Sequence, residues 1–182
     1  MSHSGLALID PYKIFSVINL SSGMRVADMG CGRTGHFVFP ASRVVGEKGI
    51  VYAIDIIKDI LENIKSRVRS EGYENVQTIW SDIELPGKTP IPESSLDVCF
   101  YVNVMFLLKH RIEALQEAKR LLKTGGFLNI VDWAKKLGPL GPQPNMMASP
   151  EQILQIAENL GFELIDKTPA GEYHYSLIFK KN

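Results

Sequence analysis

The segment Val26–Phe37, VADMGCGRTGHF, contains residues suited to binding a small ligand. Gly30, Gly32 and Gly35 have the spacing of a G-x-G-x-x-G fingerprint, and an acid, Asp55, lies 20 residues beyond Gly35. Glycines at this spacing form a tight turn that lets a ligand approach the backbone closely. Taken alone, the pattern is typical of a dinucleotide-binding turn for NAD.

Asp28 argues against a pyrophosphate at this turn, because it lies two residues before the first glycine. Two like charges about 4 Å apart, at an effective dielectric constant near 20, repel by about 4 kcal/mol. S-adenosylmethionine has no phosphate and carries a sulfonium and an ammonium group, which a carboxylate attracts directly or through water. Asp55 suits either ligand, since both contain a ribose whose paired hydroxyls a carboxylate can accept.

Short apolar strands alternate along the chain with amphipathic helices. Apolar runs and periodicity predict strands over 25–29, 49–55, 76–80, 96–102, 127–133, 162–168 and 173–180. Helices are expected over 11–20, 35–45, 58–71 and 112–122, with a last helix capped by Ser149. The glycines at 125 and 126 are expected to stop the fourth helix, and the proline-rich segment 135–148 to hold no regular structure.

This alternation predicts a particular α/β fold. Strands joined by helices pair in parallel through right-handed crossovers, whereas the last two strands are too close for a crossover. We therefore expect a doubly wound, seven-stranded, mostly parallel sheet with the last strand antiparallel and helices on both faces. Residues 1–182 are expected to form a single domain, with 1–9 as a flexible start. Ligands of such sheets bind beyond the carboxyl ends of the strands, which is where the glycine turn lies.

Composition excludes few classes of protein. Lys plus Arg and Asp plus Glu both total 20, so the net charge of zero gives no electrostatic argument for nucleic acid or for an anionic membrane. The longest apolar stretch, 98–108, is shorter than the roughly 20 residues of a membrane span. Cys31 and Cys99 form neither a disulfide framework nor a zinc signature. A cytoplasmic protein without a bound metal is expected.

The motifs taken together resemble those of class I S-adenosylmethionine-dependent methyltransferases, over residues from about 8 to 180. The resemblance is carried by VADMGCG, VYAIDI, SDIE, LDVCFYVNV and LLKTGGFLNIVDW, and by the reversed last strand. It is closest to a quinone-biosynthesis-like branch that acts on small molecules. The usual family pattern, D-x-G-x-G-x-G, would place the third glycine at Thr34, whereas here it is Gly35.

The resemblance implies roles for several residues. Asp82 would hydrogen-bond the adenine amine and Ile83 would pack on its ring, while Asn103 lies where the family presents groups to the methionine half and the substrate. Cys31 would contribute its backbone. The predicted cofactor-binding residues are Asp28, Gly30, Cys31, Gly32, Asp55, Ile56, Asp82, Ile83 and Asn103.

The catalytic residue stays unknown at this stage. In-line transfer of a methyl group needs a general base only if the acceptor must lose a proton, and His36 and Asp132 are the nearest candidates. The signatures of base-amino and ribose methyltransferases are absent. A small organic acceptor is therefore expected, with the segment 138–148 as its lid.

Two other functions stay open. The fingerprint spacing permits an NAD-dependent oxidoreductase, and a non-catalytic protein that binds S-adenosylmethionine would have the same cofactor motifs. The identity of the acceptor and the oligomeric state stay open too.

Overall fold

The structure is a computed structural model that describes residues 8–182. Most of the predicted flexible start therefore lies outside the described residues. Five α-helices are found in this part of the chain: α1 (Pro11–Val17), α2 (Val38–Val45), α3 (Lys58–Glu71), α4 (Arg111–Leu121) and α5 (Pro150–Asn159). The strands are β1 (Arg25–Met29), β2 (Ile50–Asp55), β3 (Val76–Trp80), β4 (Leu96–Val102), β5 (Leu122–Trp133), β6 (Phe162–Pro169) and β7 (His174–Lys181).

The seven strands form one sheet in the order β3-β2-β1-β4-β5-β7-β6. The pairs from β3 to β5 are parallel, and β7 is antiparallel to both β5 and β6. The predicted fold class is thus confirmed. The strand order reverses between β1 and β4, which places the crevice for a ligand at their carboxyl ends.

Apolar side chains bury both faces of the sheet. On one face Phe15 of α1, Phe39 of α2 and Ile64 of α3 belong to one hydrophobic cluster. On the other face Leu115 of α4 and Ile153 of α5 belong to a second cluster. Helices therefore cover both faces, as the alternation of strands and helices predicts. None of the helices between residues 8 and 182 combines the length and apolarity needed to cross a membrane.

Four local predictions were wrong. α1 ends at Val17 rather than at residue 20, and Asn19 follows in the left-handed region with φ of +52°. α2 begins at Val38 because the glycine turn continues beyond residue 35. The glycines at 125 and 126 lie inside β5, where the register with β4 shifts from Leu96 to Val98. The proline-rich segment holds a short 3-10 helix, Pro144–Met146, which local turn residues did not predict.

Candidate active site

A cavity of about 610 Å³ lies at the carboxyl ends of the central strands. Its wall is formed by the glycine turn, by the residues that follow β2, β3 and β4, by Trp133 and by part of the segment 138–148. Eight of the nine predicted cofactor-binding residues line it: Gly30, Cys31, Gly32, Asp55, Ile56, Asp82, Ile83 and Asn103. The ninth, Asp28, lies behind the wall.

Backbone hydrogen bonds fix the glycine turn on the neighbouring strand. The amides of Gly30 and Cys31 both donate to the carbonyl of Ile54, each at 2.9 Å. Gly30 has φ of +85°, and a Cβ atom there would lie 2.7 Å from a methyl group of Val104. Glycine is therefore needed both for the backbone conformation and for the close approach of the residues that follow β4.

The third glycine of the fingerprint has a different surrounding. A Cβ atom on Gly35 would lie 2.7 Å from the ring of Phe39 and 2.9 Å from Ile64, and this residue does not line the cavity. Gly35 therefore lets the turn pack against α2 and α3. Of the three glycines, only Gly30 and Gly32 line the cavity.

Asp55 is held rigidly at the end of β2. One carboxylate oxygen accepts from the amide of Gly32 at 3.2 Å, and the other accepts from the amide of Ile57 at 2.9 Å. The residue is only 7% exposed. Each carboxylate oxygen has a further lone pair, so the group can still accept the two hydroxyls of a ribose.

The loop after β3 carries Asp82 and Ile83 and is braced from α4 by a buried carboxylate. Glu117 accepts from the amides of Gly87 at 2.7 Å and Thr89 at 3.1 Å, and pairs with Arg120 at 2.8 Å. Burial opposes its ionisation, but these hydrogen bonds outweigh burial and lower the pKa of Glu117 to about 2. No local pattern in the sequence indicates this brace, since the two contacts of Glu117 with the loop join residues about 30 positions apart.

Asp28 lies in β1, beneath the glycine turn, and is 3% exposed. Burial, and then the charge of Asp55, raise the pKa of its carboxyl group to about 7. Its Oδ1 atom has no hydrogen-bond partner in the described part of the chain. Asp28 does not line the cavity, and its role toward a ligand stays a prediction.

Asn103 follows β4 with a left-handed backbone, at φ of +54°. Its amide donates to the carbonyl of Val131 at 2.8 Å, while its side-chain oxygen is buried with no partner among residues 8–182. Buried acceptors without donors are costly. The unpartnered oxygen of Asn103, which lines the cavity, can therefore accept a hydrogen bond from a ligand that carries an N–H or O–H donor.

The other half of the cavity is apolar. Its wall consists of Val104, Phe106, Leu107, Leu108, Trp133, Gly141 and Pro142. The backbone of Gly141 lies so close to Trp133 that an added Cβ atom would be 2.9 Å from the indole. Gly141 and Pro142 thus bring part of the segment 138–148 into the wall, whereas the role of this segment as a lid stays a prediction. None of these seven residues has a titratable side chain.

Two residues considered for chemistry are disfavoured for different reasons. His36 is held by a 2.7 Å contact between its Nε2 atom and the carbonyl of Ile9, and it does not line the cavity. Burial, then the charges of Asp28 and Asp55, raise the pKa of the Cys31 thiol well above its usual range, so that it stays neutral. The position of His36 therefore disfavours it as the general base, and the contribution of the Cys31 backbone to cofactor binding stays a prediction.

Comparison with known proteins identifies the family. A family model described as a methyltransferase domain matches residues 20–170. An S-adenosylmethionine-dependent methyltransferase from Aquifex aeolicus superimposes with a TM-score of 0.87 at 30% identity, over 98% of this chain and 93% of that one. Geranyl diphosphate C-methyltransferase of Streptomyces coelicolor, solved with S-adenosyl-L-homocysteine, has a TM-score of 0.76 at 12% identity over 94% of this chain and 79% of that one, and shows the fold alone.

The chain therefore belongs to the methyltransferase-domain family, among the class I S-adenosylmethionine-dependent methyltransferases. The ubiquinone/menaquinone biosynthesis C-methyltransferase UbiE of Vibrio vulnificus is 32% identical over 117 residues, which cover 62% of this chain and 42% of that protein. A relative of the same description from Laribacter hongkongensis is matched over 54% of its length. The chain thus spans about half the length of the curated relatives it matches.

Proposed function

We propose that this protein transfers a methyl group from S-adenosylmethionine to a small organic acceptor. The observation that supports it best is the continuity of the cavity. One compartment joins the fixed Asp55 carboxylate and the unpartnered oxygen of Asn103 to an apolar chamber bounded by Phe106 and Trp133. Such a cavity has room for a cationic nucleoside at one end and an acceptor at the other.

The residues present fit this cofactor. Asp55 would accept the ribose hydroxyls, Asp82 and Ile83 would hold the adenine, and Asn103 with the glycine turn would hold the methionine half. Asp28 would supply negative charge from behind the turn. The bound cofactor supplies an electrophilic methyl group on a positively charged sulfur.

The protein's own contribution is alignment and exclusion of water. Correct orientation of two reactants supplies many kcal/mol without any covalent intermediate. The apolar wall, closed on one side by Gly141 and Pro142, would hold the acceptor in line and keep water away. Because none of the residues of this wall titrates, we propose an acceptor that arrives already nucleophilic.

The two buried free cysteines support a reducing, cytoplasmic location.

Transfer of a tritiated methyl group into fractionated cell extract tests this function. We expect the wild-type protein to label a small-molecule fraction. Labelling of none of several extracts, together with tight binding of S-adenosylhomocysteine in calorimetry, would indicate a non-catalytic binding protein. Binding of NADH instead of S-adenosylhomocysteine would indicate an oxidoreductase.

The substitution Asp55→Ala tests the ribose assignment. Loss of the hydrogen bonds of a charged group should weaken binding of S-adenosylhomocysteine about tenfold or more. Asp59→Ala is the matched control, because Asp59 is an exposed acid in the first turn of α3. A dissociation constant that Asp55→Ala leaves unchanged would refute the assignment.

A further inference from the structure

Asp132 is a buried carboxylate next to the apolar half of the cavity. It lies in β5 directly before Trp133 and is 0% exposed. Its Oδ1 atom accepts from the amide of Trp133 at 2.7 Å, and its Oδ2 atom accepts from the amide of Phe106 at 3.3 Å. One carboxylate thus accepts hydrogen bonds from two residues whose side chains form part of the apolar wall of the cavity.

These two residues come from separate elements. Phe106 lies in a short 3-10 helix, Met105–Leu107, that follows β4, whereas Trp133 ends β5. Arg111, the first residue of α4, donates to the carbonyl of Met105 at 2.9 Å and holds the same short helix from its other side. The relative position of the two halves of the wall therefore depends on Asp132 together with Arg111.

We propose that Asp132 is a positioning residue: its carboxylate fixes the Met105–Leu107 helix against Trp133 and thereby sets the shape of the compartment that receives the methyl acceptor. This inference rests on the proposed function. It also replaces the role of general base for Asp132, because both carboxylate oxygens are engaged by backbone amides and the residue does not line the cavity.

The charge of this carboxylate depends on pH near neutrality. Burial raises the pKa of Asp132 to about 6, although the amides of Trp133, Phe106 and Met105, and then the charge of Arg111, oppose the increase. Above pH 6 both oxygens accept. Below it the group is neutral and accepts more weakly from the two amides, so we expect the wall to loosen.

Charged and titratable groups lie around Asp132 on neighbouring elements. The guanidinium of Arg111 faces it from α4. Tyr175 faces it from β7, donates its hydroxyl to the carbonyl of Ala148 at 3.0 Å, and stays neutral because burial and then Asp132 raise its pKa well above the usual range. His174 packs against Trp133 in a tilted arrangement with ring centroids 4.3 Å apart, and burial lowers its pKa to about 4.

Fluorescence of Trp133 provides a direct test. The chain has two tryptophans, so Trp80→Phe leaves Trp133 as the only one. We expect its emission to shift with a midpoint near pH 6 in this background. Trp80→Phe combined with Asp132→Asn should abolish that transition while keeping the one near pH 4 that belongs to His174. A transition near pH 6 that survives Asp132→Asn would overturn the proposal.

Kinetics separate positioning from a purely structural role. With the extract fraction that the wild type labels as acceptor, Asp132→Asn should raise the apparent KM about fivefold and leave the dissociation constant of S-adenosylhomocysteine within about twofold. Asp166→Asn, on the edge strand β6, is the matched control. An unchanged KM, or equal losses for cofactor and acceptor, would contradict the proposal.

The test distinguishes this proposal from the proposed function. If the wild type labels no extract, the proposed function fails, whereas the fluorescence titration still decides the role of Asp132. If Asp132→Asn does not fold, Asp132→Glu in the Trp80→Phe background replaces it. The glutamate variant should keep a titration of Trp133 emission but move its midpoint; an identical midpoint would show that another group is responsible.

Discussion

At the scale of single residues, the buried acids near the glycine turn are expected to favour a cationic ligand. Asp28 and Asp55 are both buried, and the carboxyl group of Asp28 titrates near pH 7 through burial and then through repulsion by Asp55. A cationic ligand relieves that repulsion, whereas a pyrophosphate adds to it. Protonation of one buried acid is therefore coupled to binding of the cofactor.

This coupling predicts a pH dependence of cofactor binding. Because Asp28 is ionised above about pH 7, the affinity for S-adenosylmethionine should rise between pH 6 and pH 8, by about threefold to tenfold, and binding at pH 6.5 should release a proton. Calorimetry in two buffers that differ in ionisation enthalpy measures both effects. S-adenosylhomocysteine, which lacks the sulfonium charge, should show a weaker dependence, and Asp28→Asn should show none.

Asp28 also makes the stability of the fold depend on pH, but in the opposite direction to cofactor affinity. Its folded-state pKa of about 7 exceeds the ordinary value of 3.8, so the folded protein holds a proton that the unfolded chain releases. The free energy of unfolding should therefore fall by roughly 4 kcal/mol as pH rises from about 4 to about 7, and then level off. Urea unfolding of the wild type and of Asp28→Asn measures this. A slope of equal size in the variant would assign it to other groups.

At the scale of elements, α4 holds the loop that carries the predicted adenine-binding residues. Glu117→Gln removes the charge that the amides of Gly87 and Thr89 and the guanidinium of Arg120 share. We expect binding of S-adenosylhomocysteine to weaken about fivefold, and the preference for adenosine over inosine as competing ligands to shrink. Competition calorimetry at a temperature where both proteins are folded measures it.

Glu113→Gln is the control for this prediction, because Glu113 lies one turn earlier in α4 and its side chain is 45% exposed. It should bind S-adenosylhomocysteine as the wild type does. Lower thermal stability of Glu117→Gln with unchanged affinity and unchanged base preference would mean that the brace supports the fold without shaping the cofactor site.

The packing of the glycine turn on its helices yields a prediction about stability. Gly35→Ala places a methyl group against Phe39 and Ile64 and also requires a left-handed backbone, so it should lower the free energy of unfolding by about 3 kcal/mol. Gly72→Ala has the same type of backbone, with φ of +72°, but no atom within 4 Å of the added carbon. It should cost only about 1 kcal/mol. If urea unfolding gives equal losses of unfolding free energy for the two variants, then Phe39 and Ile64 can move to accommodate the added methyl group.

At the scale of the whole molecule, local patterns sufficed for the fold. The bounds of β1, β3, β4 and α3 agree with those expected from apolar runs and helical periodicity. The antiparallel last strand also follows, because the gap before it is too short for a crossover. The positions of most predicted site residues follow in turn, since residues after parallel strands meet at one edge of the sheet. Their binding roles, and the assignment of 1–182 to one domain, stay predictions.

What the sequence did not reveal depends on distant contacts. Glu117 lies on a helix whose apolar stripe gave no sign of a buried carboxylate, and its partners at Gly87 and Thr89 belong to an irregular loop. Asp132 and Phe106 are 26 residues apart and are joined only once β4 and β5 are paired. The depth of Asp28 depends likewise on how β1 is covered. Local periodicity contains none of this information.

The segment over the acceptor chamber is attached at both of its ends. Near its start Gly141 rests on the face of Trp133, and at its end the carbonyl of Ala148 receives the hydroxyl of Tyr175. A segment attached in this way can move away from the cavity only between its two points of attachment. The length of that free stretch, rather than the volume of the chamber, would then set the largest methylated product that can leave.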